Sequence, residues 1–152
     1  MIERSFNPSQ LRTSRSSKRT AQPSPGEVVG YSSVYNSLSE NLNGFRERVA
    51  PTAFLKSLRE NADVRCLINH DPSLIIGRTT NRTLRLSSDS TGLRMACSLP
   101  DTSYARDLYA SISRGDVNSM SFAFTVDPDG DTMLRQAVAS AHKQFIVGRL
   151  EA

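Results

Sequence analysis

The sequence predicts a mixed, mainly β fold, an antiparallel sheet or barrel with helical additions. Three observations lead there. About seven short runs rich in β-branched and apolar residues are spread along the chain, three helical patterns are interspersed among them, and no regular strand–helix alternation of the dinucleotide-binding type appears. At 152 residues and 38% apolar content the chain can build one core of modest size. No internal repeat is visible.

Glu27-Val28-Val29-Gly30-Tyr31-Ser32-Ser33-Val34-Tyr35 reads as the first strand of the body, with Gly30 marking a bulge or a close approach. A turn-rich stretch from Asn36 to Gly44 follows. Pro51 suits a first helical position, and Phe54, Leu55 and Leu58 recur at helical spacing, which predicts a short amphipathic helix over 51–61. Val64–Asn69 is a strand that ends against His70-Asp71-Pro72, because proline blocks its continuation. Leu74–Arg78, Leu84–Leu86 and Leu93–Leu99 give three more strands, and Ser87–Gly92 supplies the turn between the last two. Alternation places Leu93, Met95, Cys97 and Leu99 on one face.

Asp101 or Thr102 can cap a helix over 102–114 in which Tyr104, Leu108 and Ile112 repeat every four residues. Arg114 complements its dipole and Gly115 supplies the left-handed stop. Asn118–Val126 then alternates cleanly, with Met120, Phe122, Phe124 and Val126 on one face and Ser119, Ser121, Ala123 and Thr125 on the other. After the turn Asp127-Pro128-Asp129-Gly130 the period changes. Leu134, Val138, Ala141 and Phe145 fall on one helical stripe, with Asp131 or Thr132 as cap and Gly148 as stop, so the last segment is predicted helical.

Charge is unevenly distributed. Residues 1–26 hold Arg4, Arg12, Arg15, Lys18 and Arg19 against Glu3 alone, which accounts for the whole net charge of +4 and leaves the body, 27–152, neutral. This Ser/Thr/Arg/Pro-rich segment buries too little apolar surface to offset its ordering entropy and is expected to be a flexible arm. It can touch phosphates without sequence preference, but no specific nucleic-acid partner is expected. No apolar run is long enough to cross a bilayer and the start of the chain lacks a secretory pattern, so a soluble, intracellular protein is expected. Cys66 and Cys97 lack CxxC spacing and read as reduced core thiols.

Only two histidines are available to a histidine-dependent mechanism. His142 falls among Ala139, Ser140, Lys143 and Gln144 on the last predicted helix and reads as a solvated residue. His70 sits at a strand end, a rigidly supported loop position of the kind that active sites favour, and imidazole is suited to act as a base near neutral pH. Ser121 lies between two core anchors, Met120 and Phe122, which would hold its backbone firmly. An imidazole within reach could remove its proton and make it a nucleophile for acyl transfer. Ser119 has the same facing, and alternation does not separate the two. A metal site from Cys66, His70 and Asp71 has no second ligand cluster to complete it. G-x-S-x-G, P-loop and G-x-G-x-x-G motifs are absent, and neither a cofactor nor a metal is called for.

The order of several segments carries a resemblance. Gly30-Tyr31-Ser32-Ser33-Val34-Tyr35-Asn36, Phe45-Arg46-Glu47-Arg48-Val49-Ala50-Pro51-Thr52-Ala53-Phe54 and Asn69-His70-Asp71 with Ile76-Gly77-Arg78-Thr79 come first. Gly92-Leu93, Leu99-Pro100-Asp101-Thr102, Ala105-Arg106-Asp107-Leu108, Ile112-Ser113-Arg114-Gly115-Asp116-Val117 and Met120-Ser121-Phe122-Ala123-Phe124 complete the set. Together, over about residues 28–127, they resemble the prohead (capsid maturation) serine proteases of tailed bacteriophages. The resemblance implies a herpesvirus-assemblin-like β-barrel with surrounding helices. It also implies an endopeptidase that cleaves the major capsid protein or its scaffolding domain, and usually itself, inside the procapsid in the bacterial host cytoplasm.

Under that resemblance His70 is the general base and Ser121 the nucleophile. The part from 128 to 152 departs from the family pattern, which leaves the third, orienting residue open between Glu151 and Asp71. Arg114 or backbone N–H groups near Ser121 are the candidates for stabilising the oxyanion. A non-catalytic relative acting as a capsid assembly factor is the alternative reading, and self-association is compatible with either.

Overall fold

A computed structural model describes residues 2–4, 12–14, 25–39, 45–124, 132–135 and 143–147 of the chain. Among these residues the architecture is mainly β with two helices. In chain order the elements are β1 (Ile2–Arg4), β2 (Arg12–Ser14), β3 (Glu27–Val34), β4 (Phe45–Val49), α1 (Leu55–Arg59), β5 (Arg65–Leu67), β6 (Ile75–Arg78) and β7 (Leu84–Ser88). β8 (Gly92–Ser98), α2 (Ser103–Arg114), β9 (Phe122–Phe124), β10 (Thr132–Arg135) and β11 (Lys143–Val147) follow.

The largest sheet has the order β2-β3-β8-β7 and is antiparallel throughout. β5 and β6 form a separate hairpin, β1 pairs with β9, and β10-β11-β4 make a three-stranded sheet in which β11 runs parallel to β4. β8 is the spine. Leu93, Met95, Cys97 and Leu99 are all buried, as their alternation predicts; on the opposite face Arg94 is exposed but Ala96 is buried too. The register shift between Tyr31 and Ser33 shows that β3 does bulge, just beyond Gly30.

Two apolar clusters hold these sheets together. One gathers Tyr35, Val49, Ala53, Phe54, Leu93, Phe122 and Phe124. The other gathers Val28, Ile76, Leu84, Met95, Cys97, Leu99, Ala105 and Ile112, with Cys66, Ile68, Leu108 and Met120 packed against it. Helix α2 forms where its sequence signals place it. Thr102 accepts the Ala105 N–H at its start, and Gly115 at φ 86° ends it with N–H bonds returning to the last turn. Its buried face, Ala105 and Ile112, closes over the second cluster, and the Tyr104 hydroxyl donates to the Ile75 carbonyl of β6 at 3.1 Å.

Four expectations need correction. The helix expected over 51–61 is confined to Leu55–Arg59, because 51–54 form turns; within it Ser57 points inward and Leu55 is 44% exposed. Phe45–Val49, which the pattern of residues left outside any element, is a strand. Its alternation is hidden by Glu47, which is buried alongside Val49 where an apolar residue would be expected. The last segment is not helical where it is described, since Thr132–Arg135 and Lys143–Val147 are strands. Phe145-Ile146-Val147 is as suited to a strand as to a helix, and its pairing with β4 decides the matter. Finally, two triplets of the arm expected to be flexible over 1–26 belong to sheets, Ile2–Arg4 with β9 and Arg12–Ser14 with β3. His142, Glu151, Thr125 and Val126 lie outside the described residues.

Candidate active site

His70 is delivered by the β5–β6 hairpin. The base of that hairpin is clamped by the Asp63–Arg78 ion pair, with Arg78 Nε donating to Asp63 Oδ1 at 2.7 Å and a second guanidinium nitrogen on Oδ2. The Arg78 guanidinium holds the Asp63 carboxyl below the usual carboxylate range. Thr79 adds to the clamp: its hydroxyl donates to the Ala62 carbonyl and accepts the Val64 N–H.

At the tip the chain reverses through Asn69 and His70, which both adopt left-handed backbone, φ 51° and 56°. The Asp71 N–H donates to the Ile68 carbonyl at 2.9 Å across them. Positive φ at both central residues is the signature of a type I′ turn, in which asparagine is favoured at the first position. Histidine in the left-handed region stores strain that the surrounding bonds must offset. They do so on both flanks: Ile68 N–H donates to Leu74 O, and Leu74 N–H donates to Asp71 O. Ile68 and Cys66 below the tip pack on the second apolar cluster.

Asp71 is committed to the same turn. Its Oδ1 accepts the Ser73 N–H at 2.8 Å and the Ser73 hydroxyl at 2.6 Å. Those two donors, the hydroxyl first, hold its carboxyl below the usual range. The carboxylate therefore shapes the loop behind the histidine.

Ser121 reaches the site by another route. It is half-buried immediately before β9, and the segment Asn118–Ser121 lacks regular structure, so the strand expected over 118–126 begins at Phe122. Phe122, 5% exposed, packs edge-on against Phe54 with centroids 5.8 Å apart and stacks on Phe124 at 5.2 Å. Met120 on the other side rests on the second cluster. Ser121 thus stands at the junction of the two cores, held on each side by a packed neighbour.

These two routes converge. His70 Nε2 lies 2.6 Å from Ser121 Oγ, across 51 residues of sequence. In the tautomer protonated on Nδ1, the hydroxyl donates to Nε2, the arrangement required to take a proton from a serine nucleophile. Ser119, in the same irregular segment, is exposed, and it is Ser121 whose hydroxyl meets His70. Arg114 lies exposed at the end of α2, with Nε 3.1 Å from Asp116 Oδ2. Among the described residues no group of three or more His, Cys, Asp or Glu could hold a metal ion, and no helix is long and apolar enough to cross a membrane.

Cys66 and Cys97 are both free thiols. Cys97 donates to the Ile76 carbonyl at 3.3 Å, and the adjoining Cys66 thiol, with burial second, pushes its ionisation up, so it is a core residue. The sequence signal that was missed is Asn69: asparagine before His70 marks a left-handed turn, whereas Pro72 alone suggests only a strand end.

The family model for the Caudovirus prohead serine protease matches residues 12–150. The chain belongs to that family. The match starts within the basic segment and runs through β11, well beyond the motifs of 28–127. Members of the family are serine peptidases of procapsid maturation. No curated protein and no solved structure matches the chain.

Proposed function

We propose that this chain is the serine endopeptidase of a phage procapsid, with Ser121 as nucleophile and His70 as general base. Its substrates are the scaffolding segment of the major capsid protein and the chain itself, cut inside the procapsid in the host cytoplasm. The observation that carries the reading is the 2.6 Å contact between His70 Nε2 and Ser121 Oγ, in a member of a serine peptidase family. The sheets are read as parts of the assemblin-like barrel that the family resemblance implies.

The chemistry follows from that contact. Ser121 Oγ attacks the carbonyl carbon of the scissile peptide while Nε2 of His70 takes the hydroxyl proton. The imidazolium returns that proton to the leaving amine, which departs as the new amino terminus and leaves an acyl ester on Ser121. Water then attacks the ester carbonyl with His70 again as base, which releases the acid and restores the hydroxyl. The strained turn under His70 and the aromatic anchor under Ser121 keep the two groups in register, so little ordering is left for the reaction to supply.

Co-expression with the cognate capsid protein tests this reading. Ser121→Ala and His70→Ala should each lower scaffold cleavage on the order of 10⁴-fold or more, while Ser119→Ala stays within about twofold of the native rate. If the native chain cleaves nothing yet capsids assemble only in its presence, it is an assembly factor instead.

A further inference from the structure

We infer that residues 2–4 occupy, in cis, the strand edge on which the acyl side of a substrate docks, so that the chain carries its own competitor for the Ser121 site. The inference rests on the reading of Ser121 and His70 as nucleophile and base. β9 begins at the residue after Ser121, and among the described residues β1 is its only partner in the sheet. The register is Ile2 with Phe124, Glu3 with Ala123 and Arg4 with Phe122. The two strands are antiparallel, so β1 advances toward Ser121 as it runs from Ile2 to Arg4. Its carboxyl end stops opposite Phe122, one residue and about 3.4 Å of strand rise from the nucleophile.

Direction is what gives this pairing meaning. A substrate delivers its scissile carbonyl at the carboxyl end of its acyl-side residues. An extended peptide laid antiparallel on β9 arrives with that end at Ser121, whereas a parallel one would lead away from it. β9 itself cannot yield, because Phe122 and Phe124 are locked in the aromatic cluster. The edge that β1 covers is a row of main-chain donors and acceptors, the feature that captures extended peptides by strand addition. Residues 2–4 fill that row with the polarity of a substrate. A tethered strand competes at a high effective concentration, so an incoming scaffold segment must displace it.

The test uses the full chain carrying Ile2→Pro and Glu3→Pro together. Neighbouring strand residues alternate in which direction their N–H points, so one of the two prolines must remove a ladder bond. With cognate capsid protein as substrate, KM should fall about tenfold and kcat stay within twofold. Labelling of Ser121 by a small fluorophosphonate, which needs no strand pairing, should stay within twofold.

The opposite manipulation guards against misfolding of the proline variant. Glu3→Cys with Ala123→Cys joins Cα partners, so oxidation by a small disulfide (two thiols become one disulfide and the reagent leaves as two thiols) should lock the edge and suppress scaffold cleavage at least tenfold, reversibly on reduction. Native KM in the proline variant, or full cleavage by the locked chain, would overturn the inference while the fluorophosphonate label still upholds the protease. A native chain that neither labels nor cleaves overturns both.

Discussion

In the β7–β8 hairpin the chain reverses through Asp89, Ser90 and Thr91 with no residue in the left-handed region, and Asp89 Oδ1 accepts the N–H groups of Thr91 and Gly92. In the β5–β6 hairpin it reverses through two left-handed non-glycine residues, Asn69 and His70, with Asp71 capping the Ser73 N–H. Both loops use an aspartate as a local acceptor, so the aspartate does not distinguish them. The difference lies in the left-handed residues. The first turn serves the sheet without any, while the second sets a histidine in the left-handed region and holds its imidazole 2.6 Å from Ser121.

The largest expected effect tests the turn that serves the fold. A Cβ at Gly92 would meet the Ser33 carbonyl oxygen at 2.0 Å, a backbone atom that cannot step aside. Gly92→Ala should cost about 3 kcal/mol in denaturant unfolding, while the protein that remains folded keeps its rate per site. A smaller loss, with activity falling instead, would break the contrast between the hairpins.

The strained turn should behave in the opposite way. Asn69→Ala removes a residue that tolerates φ 51° and should cost about 1 kcal/mol of stability. It should also lower kcat/KM about tenfold, since a small displacement of His70 misaligns the proton transfer. Asn69→Gly, which keeps the left-handed conformation accessible, should restore most of the rate.

Acid distinguishes the two loops further. The Tyr31 hydroxyl, then the N–H groups of Thr91 and Gly92, hold the Asp89 carboxyl below its usual range, and the Ser73 hydroxyl and N–H do the same for Asp71. A carboxyl depressed in the folded state favours folding above the unfolded value, about 4, and that contribution is lost as pH falls through the folded value. Native Tm should therefore decline below about pH 4, and Asp89→Asn should flatten that decline as read by thermal unfolding. Asp71→Asn should flatten it as well and also lower the cleavage rate, because only that loop carries His70. The smallest effect is at Ser90, exposed in the relaxed turn: Ser90→Ala should change stability by less than about 0.5 kcal/mol.

Local rules made much of the molecule legible. The buried face of β8 follows from a two-residue period, and both ends of α2 follow from Thr102 and Gly115. His70 at the end of a strand and Ser121 between packed neighbours were visible as candidates because each depends on adjacent residues. What stayed hidden required distant pairing. β4 is masked by its buried Glu47, β11 takes strand form against β4 despite a helical stripe, and β1 pairs with β9 and β2 with β3 although the composition of their arm argues for no strand.

By itself, then, the order of residues determined the alternation of β8, the stops of α2, the family membership and two candidate groups, since these depend on short-range periodicity, turn chemistry and motif spacing. Only the tertiary structure brought Ser121 to His70, set the left-handed turn under His70, and laid residues 2–4 beside the start of β9. A hydroxyl and an imidazole 51 positions apart have no local reason to meet. They meet because Ile68 and Met120 rest on one apolar cluster while Phe122 is locked into the other.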